Sequence, residues 1–317
     1  MKNAVINGTG SYLPEQSLSN YDLETKLDTS HEWIFSRTGI KSRHVAAEHE
    51  TTSFMASEAA KNALKSSSIE ADDIDLILVA TCTPNHFFPS MACHVQKALA
   101  IKKPIAAFDI SAACSGFVYA MDMAKQFIQT GAAKHVMVVG SESMSRAVNW
   151  SDRSTCVLFG DGAGAAVLSA DDAPGIIASV LHSSFDAHEL LTYPNYTFSN
   201  DQSLIGMRGN EVFKLAVNIM GDVVDEVLEA SDLNKSDINW LIPHQANIRI
   251  IHGIAKKLNL SMEQVIVTIE NQGNTSAASI PLALDFSIKE SRVKRGDMLL
   301  LESFGGGMTW GAMVIRY

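Results

Sequence analysis

The chain contains an internal repeat, and this repeat constrains its fold more than any other feature of the sequence. When the sequence is compared with itself at a shift of about 164 residues, two copies of a helix, a turn and a strand come into register. The first copy consists of residues 54–66, the turn DDID and the strand LILVAT, and the second of residues 217–229, the turn SDIN and the strand WLIPH. Further along, SAACS falls opposite TSAAS, so that Cys114 faces Ala278. A repeat of this length indicates a duplicated domain, because it is far longer than a solenoid period.

The duplication predicts the fold class and a division into two halves. Two further strands complete each copy, and strands separated by helices are typical of α/β folds with mainly parallel sheets covered by helices on both faces. We expect two βαβαβ-type halves, an N-terminal half at residues 1–171 and a C-terminal half at residues 172–317. The length of 317 residues and the hydrophobic content of 46% suffice for two such cores.

The segment DISAACSGF, residues 109–117, places a cysteine between an apolar strand and a long apolar helix. The helix is predicted to run from about Cys114 to Thr130 and to end at Gly131, and we expect it to be central and buried because it is apolar almost all round. The free N–H groups and the positive dipole end at its N-terminus would favour the thiolate of Cys114. This position makes Cys114 the candidate nucleophile.

The composition excludes several classes of partner. Asp and Glu outnumber Lys and Arg by 35 to 25, a net charge of −10, which argues against general binding to nucleic acid or to an anionic membrane. No apolar run is long enough to span a bilayer, and the start MKNAVINGTG is typical of a strand and a turn, not of a secretory signal. We therefore expect a cytoplasmic protein.

The other three cysteines are expected to be structural. In a reducing compartment Cys82, Cys93 and Cys156 should be free thiols, and each is interpreted as a small buried hydrophobic residue. The spacing of His86, Cys93 and His94 matches no zinc pattern, so no metal site is predicted.

Two polar segments of the second copy follow strand ends, PHQAN at residues 243–247 and NQGNTSAAS at residues 271–279. The carboxyl ends of parallel strands share one edge, where ligands of α/β proteins usually bind. We therefore expect His244 and Asn274 to converge with Cys114. The Gly-rich segments FGDGAG and FGGGMTWG both enter strands, so neither fits a phosphate loop, and the second better fits an amide donor aimed at a reacting oxygen.

Along essentially its whole length the chain resembles the β-ketoacyl-acyl carrier protein synthase III family, the thiolase-fold condensing enzymes that begin bacterial type II fatty acid synthesis. The resemblance rests on HEWIFSRTGIKSRH, SAACSGF, LFGDGAG, PHQANIRII, GNTSAAS and FGGGMTWG, in the order and at the spacings of the family. It implies a thiolase-like fold with the two halves in a layered α-β-α-β-α arrangement. Asn274 fits the Cys-His-Asn set of the initiating class, whereas elongating relatives use Cys-His-His.

The resemblance also implies the reaction, a decarboxylative condensation of an acyl-CoA, most simply acetyl-CoA, with malonyl-acyl carrier protein. Cys114 would attack the thioester and become an acyl-enzyme. His244 and Asn274 would then stabilise the enolate left by loss of carbon dioxide, and the backbone N–H groups of Cys114 and Gly306 would hold the tetrahedral oxyanion. CoA thioesters are substrates in this reaction, and no cofactor is expected.

The same resemblance implies a CoA site. Trp33 and Arg153 resemble the family's pair on either face of adenine, although a packing role at a helix start is the alternative for Trp33. Thr29 and Arg37 would contact the base and the phosphates. The positions that match the pantetheine tunnel and its apolar wall are Asn210, Phe213, Ala246, Asn247, Met207 and Phe304.

The carrier protein is acidic in this family, so it needs a basic surface on a chain of negative charge. The residues that offer one are Lys214, Arg249, Lys256 and Lys257. An ordinary solvated helix face is the alternative interpretation for the last three, which recur at helical spacing. The HFFPS segment resembles the loop at the two-fold axis of the family's homodimer, and Phe88 would close the acyl pocket of the partner.

Three other interpretations compete with an initiating condensing enzyme. A Cys-His-Asn thioester hydrolase uses the same residue types, with histidine as a general base. A related thiolase-fold enzyme would make a ketide or a quinolone precursor. A catalytically silent paralogue would be expected to lack one of Cys114, His244 and Asn274, and all three are present.

Overall fold

The computed structural model describes residues 2–186, 188–195 and 204–317 and consists of helices and strands in an α/β arrangement. The helices are α1 (Asn20–Glu24), α2 (His31–Thr38), α3 (Thr52–Ser66), α4 (Met91–Ala98), α5 (Gly116–Gln129), α6 (Gly209–Ser231), α7 (Ile248–Leu258), α8 (Ile269–Gln272) and α9 (Ser279–Lys289). The strands are β1 (Asn3–Tyr12), β2 (Ser17–Ser19), β3 (Ser42–His44), β4 (Leu76–Ala80), β5 (Ala106–Ile110), β6 (His135–Ser143), β7 (Asp161–Asp171), β8 (Ile176–Ser183), β9 (Leu191–Thr192), β10 (Gly206–Met207), β11 (Trp240–Pro243), β12 (Met298–Gly305) and β13 (Thr309–Arg316).

The two large sheets have the same strand order, which confirms the duplication. The first sheet runs β1-β7-β6-β4-β5, and the second runs β8-β13-β12-β11. Where β5 would be repeated beside β11, a single parallel bridge joins Leu241 to Val265. The second copy has therefore kept the order of the strands and reduced its edge strand to one bridge.

The prediction of mainly parallel sheets is wrong. The pairs β4·β5, β4·β6 and β11·β12 are parallel, but β1·β7, β6·β7, β12·β13 and β13·β8 are antiparallel. Parallel neighbours need a long crossover connection, usually a helix. In each copy the last two strands follow each other without an α-helix between them, so the chain returns in the opposite direction.

The helices and sheets stack in five layers, as the resemblance implies. The central hydrophobic cluster contains residues of α5 and α9 packed between both sheets, including Val118, Leu284, Leu78 and Leu299. A second cluster joins α3 and α4 to the outer face of the first sheet, and a third joins α6 and α7 to the outer face of the second. The layers are thus α3 and α4, first sheet, α5 and α9, second sheet, α6 and α7.

The long helix predicted from Cys114 is present and buried. A one-turn 3₁₀ helix at Ala113–Ser115 continues into α5, which has no side-chain cap at its N-terminus, and Gly131 follows its end with φ +76°. No helix in the described part of the chain combines the length and the apolar character that a bilayer crossing requires.

The backbone changes the predicted register between the two copies by one residue. Ala113 and Ser276 have matching left-handed conformations, with φ 45° and 49°, and each begins a 3₁₀ turn before a central helix. Cys114 therefore corresponds to Ala277 and not to Ala278. Counted from the first residues of β4 and β11, Leu76 and Trp240, the turn comes one residue earlier in the second copy, which a constant shift of the sequence does not detect.

Candidate active site

A cavity of about 1030 Å³ opens where the two halves meet, and Cys114, His244 and Asn274 all line it. Phe304 and Gly306 also line it. The volume suits a small-molecule site. The structure thus brings together the three residues that the sequence placed at strand ends of different copies.

The turn that carries Cys114 is fixed to the second half of the chain. The Ser115 hydroxyl donates to the Thr309 carbonyl oxygen at 2.9 Å, and the Thr309 hydroxyl donates to the Ala112 carbonyl oxygen at 2.9 Å. A Cβ atom at Gly305 would lie 2.7 Å from the backbone nitrogen of Cys114, so only glycine allows β12 to approach this closely. The position of the sulfur therefore depends on the contact between the halves.

The expected thiolate is wrong for the resting site. Cys114 is 8% exposed, and burial raises the pKa of its thiol to about 11. A hydrogen bond from Ser276 and the backbone N–H of Cys114 itself lower this pKa, but burial outweighs them. With its pKa raised by burial, the thiol is protonated at neutral pH and must lose its proton as it attacks.

His244 is held as a neutral imidazole. It directly follows β11, its backbone N–H donates to the Glu302 carbonyl oxygen at 2.9 Å, and its ring Nδ1 lies 2.6 Å from the Ser279 hydroxyl. Burial lowers the pKa of His244 to about 4. The Ser279 oxygen also accepts from the backbone N–H of Gln245 at 3.3 Å, so it lies between two polar groups of the PHQAN turn.

The side-chain amide of Asn274 has a defined orientation. Its Oδ1 accepts from the backbone N–H of Ser276 at 2.9 Å, and only the oxygen of the amide can accept that bond. The backbone of Asn274 bonds to Leu158 and Gly160 at 2.9 and 3.0 Å. The NH₂ group is therefore the part of this amide that remains to act in the cavity as a donor.

Several buried polar residues around this set were not expected from the sequence. Gln245 is 1% exposed, and its amide donates to the carbonyl oxygens of Pro243 and Ile266 while accepting from the N–H groups of Thr268 and Ile269. It thereby joins the PHQAN turn to the segment that leads to Asn274. The sequence signal that could have identified Gln245 is its position next to His244 in PHQAN.

The other cysteines differ from the expectation of three small buried residues. Cys156 is buried, but Cys93 is exposed and Cys82 is partly exposed. Cys82 lines the cavity, and its thiol donates to the buried carboxyl of Glu142 at 3.1 Å. Neither Glu142 nor Ser276 was singled out by the sequence, because nothing local marks them as neighbours of Cys114.

Three of the four residues of the expected adenine site lie together in the cavity wall. The guanidinium groups of Arg153 and Arg37 lie 5.1 and 5.8 Å from the ring centroid of Trp33, and all three residues line the cavity. Arg153 also bonds to the carbonyl oxygen of Asp28. Next to it, the hydroxyl of Thr29 is buried without a partner. A planar cationic and aromatic pair of this kind suits a purine ring.

The expected tunnel residues line the same cavity as Cys114. Those that line the cavity are Met207, Asn210, Phe213, Ala246, Asn247 and Phe304. The side chain of Asn247 is already used within the chain, since its oxygen caps α7 through the N–H of Arg249 and its NH₂ donates to the carbonyl oxygen of Arg37. It therefore also ties α7 to α2.

The expected basic surface is exposed, but one of its members is paired. Lys214, Arg249 and Lys256 are exposed, and Arg249 lies over the ring of Phe213 at 5.2 Å. Lys257 is exposed as well, but it forms an ion pair of 2.6 Å with Asp222 of α6. Its charge is thus partly neutralised within the chain.

The expected dimer loop exposes two large aromatic side chains. Phe88 is 86% exposed and does not line the cavity of its own chain, while the neighbouring Phe87 is 58% exposed and does. Exposed aromatic residues beside a site are typical of surfaces that another molecule covers.

The layered, duplicated fold belongs to the thiolase-like class of condensing enzymes. The family described as 3-Oxoacyl-[acyl-carrier-protein (ACP)] synthase III matches residues 108–184, and the C-terminal part of that family matches residues 228–317. The chain belongs to this β-ketoacyl-[acyl-carrier-protein] synthase III family.

Relatives and solved structures cover nearly the whole chain. A β-ketoacyl-[acyl-carrier-protein] synthase III of Thiobacillus denitrificans is 54% identical over 98% of both chains. The crystal structure of 3-oxoacyl-[acyl-carrier-protein] synthase III from Aquifex aeolicus VF5 is 50% identical, covers 99% of this chain and 100% of its own, and has a TM-score of 0.94. The corresponding enzyme of Pseudomonas aeruginosa PAO1 is 40% identical over 99% and 98%, also with a TM-score of 0.94.

Proposed function

We propose that Cys114, His244 and Asn274 carry out the reaction of this family. The chain is an acyltransferase that condenses an acyl-CoA with malonyl-acyl carrier protein and so initiates fatty acid synthesis. The products are 3-oxoacyl-acyl carrier protein, CoA and carbon dioxide, and the reaction needs no cofactor. The assignment of each step to a residue is our proposal.

The observation that carries this proposal is that two side chains able to donate hydrogen bonds line the same cavity as the thiol. The bond between Ser276 N–H and Asn274 Oδ1 leaves the amide NH₂ as a donor. The Ser279 oxygen accepts from Gln245 N–H at 3.3 Å and lies 2.6 Å from Nδ1 of His244. In this proposal the Ser279 hydroxyl donates to Nδ1, so that the ring proton lies on Nε2. Two neutral donors and one thiol thus line one cavity.

In the first half-reaction Cys114 attacks the thioester carbon of the acyl-CoA, and CoA leaves. The backbone N–H groups of Cys114 and Gly306 hold the oxyanion of the tetrahedral intermediate. The close approach of Gly305 to Cys114 brings the backbone of this glycine segment beside the reacting sulfur, as an oxyanion hole requires.

In the second half-reaction malonyl-acyl carrier protein loses carbon dioxide, and negative charge develops on its thioester oxygen. His244 and Asn274 donate hydrogen bonds to that oxygen. A neutral imidazole suits this role because it donates without a charge that would hold the malonyl carboxylate in place. Removal of one such donor typically costs about a hundredfold or more in rate.

Trp33, Arg153, Arg37 and Thr29 bind the adenine end of CoA in this proposal. The tunnel residues Met207, Asn210, Phe213, Ala246 and Asn247 contact the pantetheine chain, and Phe304 shapes the acyl end. All of these residues except Thr29 line one cavity together with Cys114, which supports this assignment.

The carrier protein binds Lys214, Arg249, Lys256 and Lys257 at the tunnel mouth in this proposal. Two copies of the chain form a homodimer in which Phe88 closes the partner's acyl pocket, which its 86% exposure supports. We further propose that residues 1–171 and 172–317 are the two halves, that the enzyme acts in the cytoplasm, and that it binds neither nucleic acid nor membrane.

Intact mass measurement of the protein after incubation with a panel of acyl-CoAs tests the proposal. We expect one acyl group per chain in the native protein and none in Cys114→Ser. Persistent acylation of Cys114→Ser would show that the nucleophile lies elsewhere. The mass of the adduct also reports which starter chains the pocket accepts.

A thioester hydrolase would instead release the acyl group from Cys114 by attack of water on the acyl-enzyme. The donors fixed on His244 and Asn274 do not favour this alternative, because a neutral histidine whose pKa is about 4 is a poor general base at neutral pH. An acyl-Cys114 that stays intact for minutes without malonyl-acyl carrier protein is the expected result, and rapid loss of the adduct would support hydrolysis.

A further inference from the structure

One basic side chain of this protein is completely buried and takes no part in the reaction proposed above. Arg43 lies in the middle of β3, is 0% exposed and does not line the cavity. Among the residues that the structure describes, no Asp or Glu forms an ion pair with it. A buried cation lowers stability unless hydrogen bonds replace its hydration. The groups that Arg43 contacts therefore indicate its role.

The guanidinium group of Arg43 donates to three oxygen atoms. Its Nη2 donates to the Val157 carbonyl oxygen at 2.7 Å and to Asn20 Oδ1 at 3.0 Å, and its Nη1 donates to the Leu18 carbonyl oxygen at 3.1 Å. Burial lowers the pKa of Arg43 to about 10, so the group stays protonated at neutral pH. The bond to Val157 spans 114 positions of the sequence and reaches a residue in the cavity wall.

The segment that begins at Val157 holds the backbone of Asn274 on both sides. The N–H of Asn274 donates to the Leu158 carbonyl oxygen at 2.9 Å, and its carbonyl oxygen accepts from the N–H of Gly160 at 3.0 Å. The carbonyl group that Arg43 binds belongs to the residue directly before these two contacts. A displacement of Val157 therefore displaces the backbone of Asn274.

The stem of Arg43 packs against glycines of both segments that meet here. A Cβ atom at Gly160 would lie 3.1 Å from the Cβ atom of Arg43, and a Cβ atom at Gly273 would lie at the same distance from it. Gly273 directly precedes Asn274 and has a φ of +68°, which favours glycine. The two segments joined at Asn274 thus lie against one side chain of β3.

We propose that Arg43 is a positioning residue that directs the NH₂ group of Asn274 at the enolate oxygen by fixing residues 157–160 against the Asn274 backbone. This inference rests on the proposed role of Asn274 as a donor in the second half-reaction. The amide follows the backbone of its turn, because its Oδ1 accepts from the N–H of Ser276 two residues later.

The partners of Arg43 suit a guanidinium group and not an ammonium group. The three oxygen atoms come from two separate parts of the chain, residues 18–20 and Val157. A planar fork with several N–H donors reaches both, whereas lysine presents a single nitrogen atom. Arg43→Lys therefore keeps the positive charge but loses part of the contact. This variant separates the position of Asn274 from the field of the charge, which would by itself favour a developing enolate.

Single-turnover kinetics of the two half-reactions test the inference. Intact mass measures acylation of Cys114 by acetyl-CoA, and labelled carbon dioxide released from malonyl-acyl carrier protein by the preformed acetyl-enzyme measures the second step. In Arg43→Lys we expect release to slow by about ten- to a hundredfold, because small misplacement of a reacting group has large effects on rate. Acylation should be nearly unchanged, because Thr309 and Gly305 fix the turn of Cys114. Native release, or an equal slowing of both steps, would overturn the inference.

A double variant shows whether Arg43 acts through Asn274. In Asn274→Ala the amide is absent, so the addition of Arg43→Lys should slow carbon dioxide release no further. Slowing by the same factor with and without the amide would overturn the inference, because Arg43 would then act independently of it. Native release in Asn274→Ala alone would instead contradict the proposed donor role, and the inference with it. Slow release in Asn274→Ala beside native release in Arg43→Lys would contradict only the role of Arg43.

Asn20→Ala tests the same contact if Arg43→Lys does not fold. The variant removes one acceptor of the guanidinium group and keeps the arginine itself. We expect carbon dioxide release to slow by about three- to tenfold, as the loss of one hydrogen bond implies, with acylation nearly unchanged. Native release in Asn20→Ala would contradict the inference.

Arg295→Lys is the matched control. Arg295 also donates to backbone carbonyl oxygens of a distant segment, those of Ile6 and Asn7 at 2.6 and 3.3 Å, and it does not line the cavity. Both half-reactions should keep their native rates in this variant. Slow carbon dioxide release in Arg295→Lys would show that the effect is not specific to the contact with residues 157–160, and the role of Arg43 would fall.

Discussion

The Ser279 hydroxyl lies 2.6 Å from Nδ1 of His244 and joins the first turn of a central helix to the end of a strand. Both residues are almost completely buried. A buried imidazole with one ring nitrogen bonded to a hydroxyl is held in one orientation, and the direction of that bond sets which nitrogen carries the proton. The chemistry of His244 therefore depends on a serine 35 positions away in the sequence.

Ser279→Ala should separate the two half-reactions. The variant leaves Nδ1 of His244 buried without its partner, which lowers the stability of the folded protein by about 1–3 kcal/mol. The hydroxyl then no longer fixes which ring nitrogen carries the proton. We expect condensation to slow by about ten- to a hundredfold and acylation by acetyl-CoA to be nearly unchanged. Intact mass in a single turnover measures the acylation, and release of carbon dioxide measures the condensation. An equal loss in both steps would contradict this role.

His244→Ala and Asn274→Ala should acquire the acyl group but fail to decarboxylate malonyl-acyl carrier protein. Each removes one donor from the developing enolate, a loss of about a hundredfold or more. Release of labelled carbon dioxide from malonyl-acyl carrier protein is the measurement. Native release in both variants would remove these residues from the enolate site.

Stability should fall at acid pH partly because of His244. Its pKa is about 4 in the folded protein and near 6.5 in an unfolded chain, so the unfolded state binds more protons between these values. The stability that comes from the neutral ring is complete above pH 6.5 and is lost as the pH falls through 4, an effect of about 3 kcal/mol. Thermal unfolding from pH 7 to 4 should show a smaller fall in Tm for His244→Asn than for the native protein.

Gly305→Ala should displace the nucleophile. The new methyl group would lie 2.7 Å from the backbone nitrogen of Cys114, so the turn or β12 must move. We expect acylation to slow by at least about a hundredfold, since small misplacement of reacting groups has large effects on rate. Gly253→Ala is the control, because its methyl group would meet only Val217 at an ordinary 3.4 Å. Normal acylation in Gly305→Ala would contradict the close contact.

Arg249→Glu should raise the KM for malonyl-acyl carrier protein about tenfold with little effect on acylation by acetyl-CoA. Charge reversal on a binding surface chiefly weakens the encounter with an acidic partner, and added salt should weaken binding to the native enzyme in the same way. Lys65→Glu, an exposed lysine on α3 in the opposite outer layer, is the charge-matched control. An unchanged KM in Arg249→Glu would show that Arg249 does not contribute to binding of the carrier protein.

Much of the fold could be read from the sequence because the duplication repeats local patterns. The amphipathic helices of each copy, the apolar strands and the long buried helix after Cys114 follow from periodicity alone. The antiparallel direction of β7 and β13 could not be predicted, because periodicity reports which residues are apolar and not how a strand returns beside its neighbour.

The sequence by itself determined that a thiol, an imidazole and an amide follow strand ends in the two copies. Only the tertiary structure decided the protonation of those groups. The sequence predicted a thiolate from the helix N-terminus, but packing buries Cys114 and raises the pKa of its thiol to about 11. Loss of hydration depends on every neighbour of the sulfur, and neighbours of Cys114 such as Gly305 and Thr309 come from the distant second half of the chain and meet this turn only when the two halves fold together.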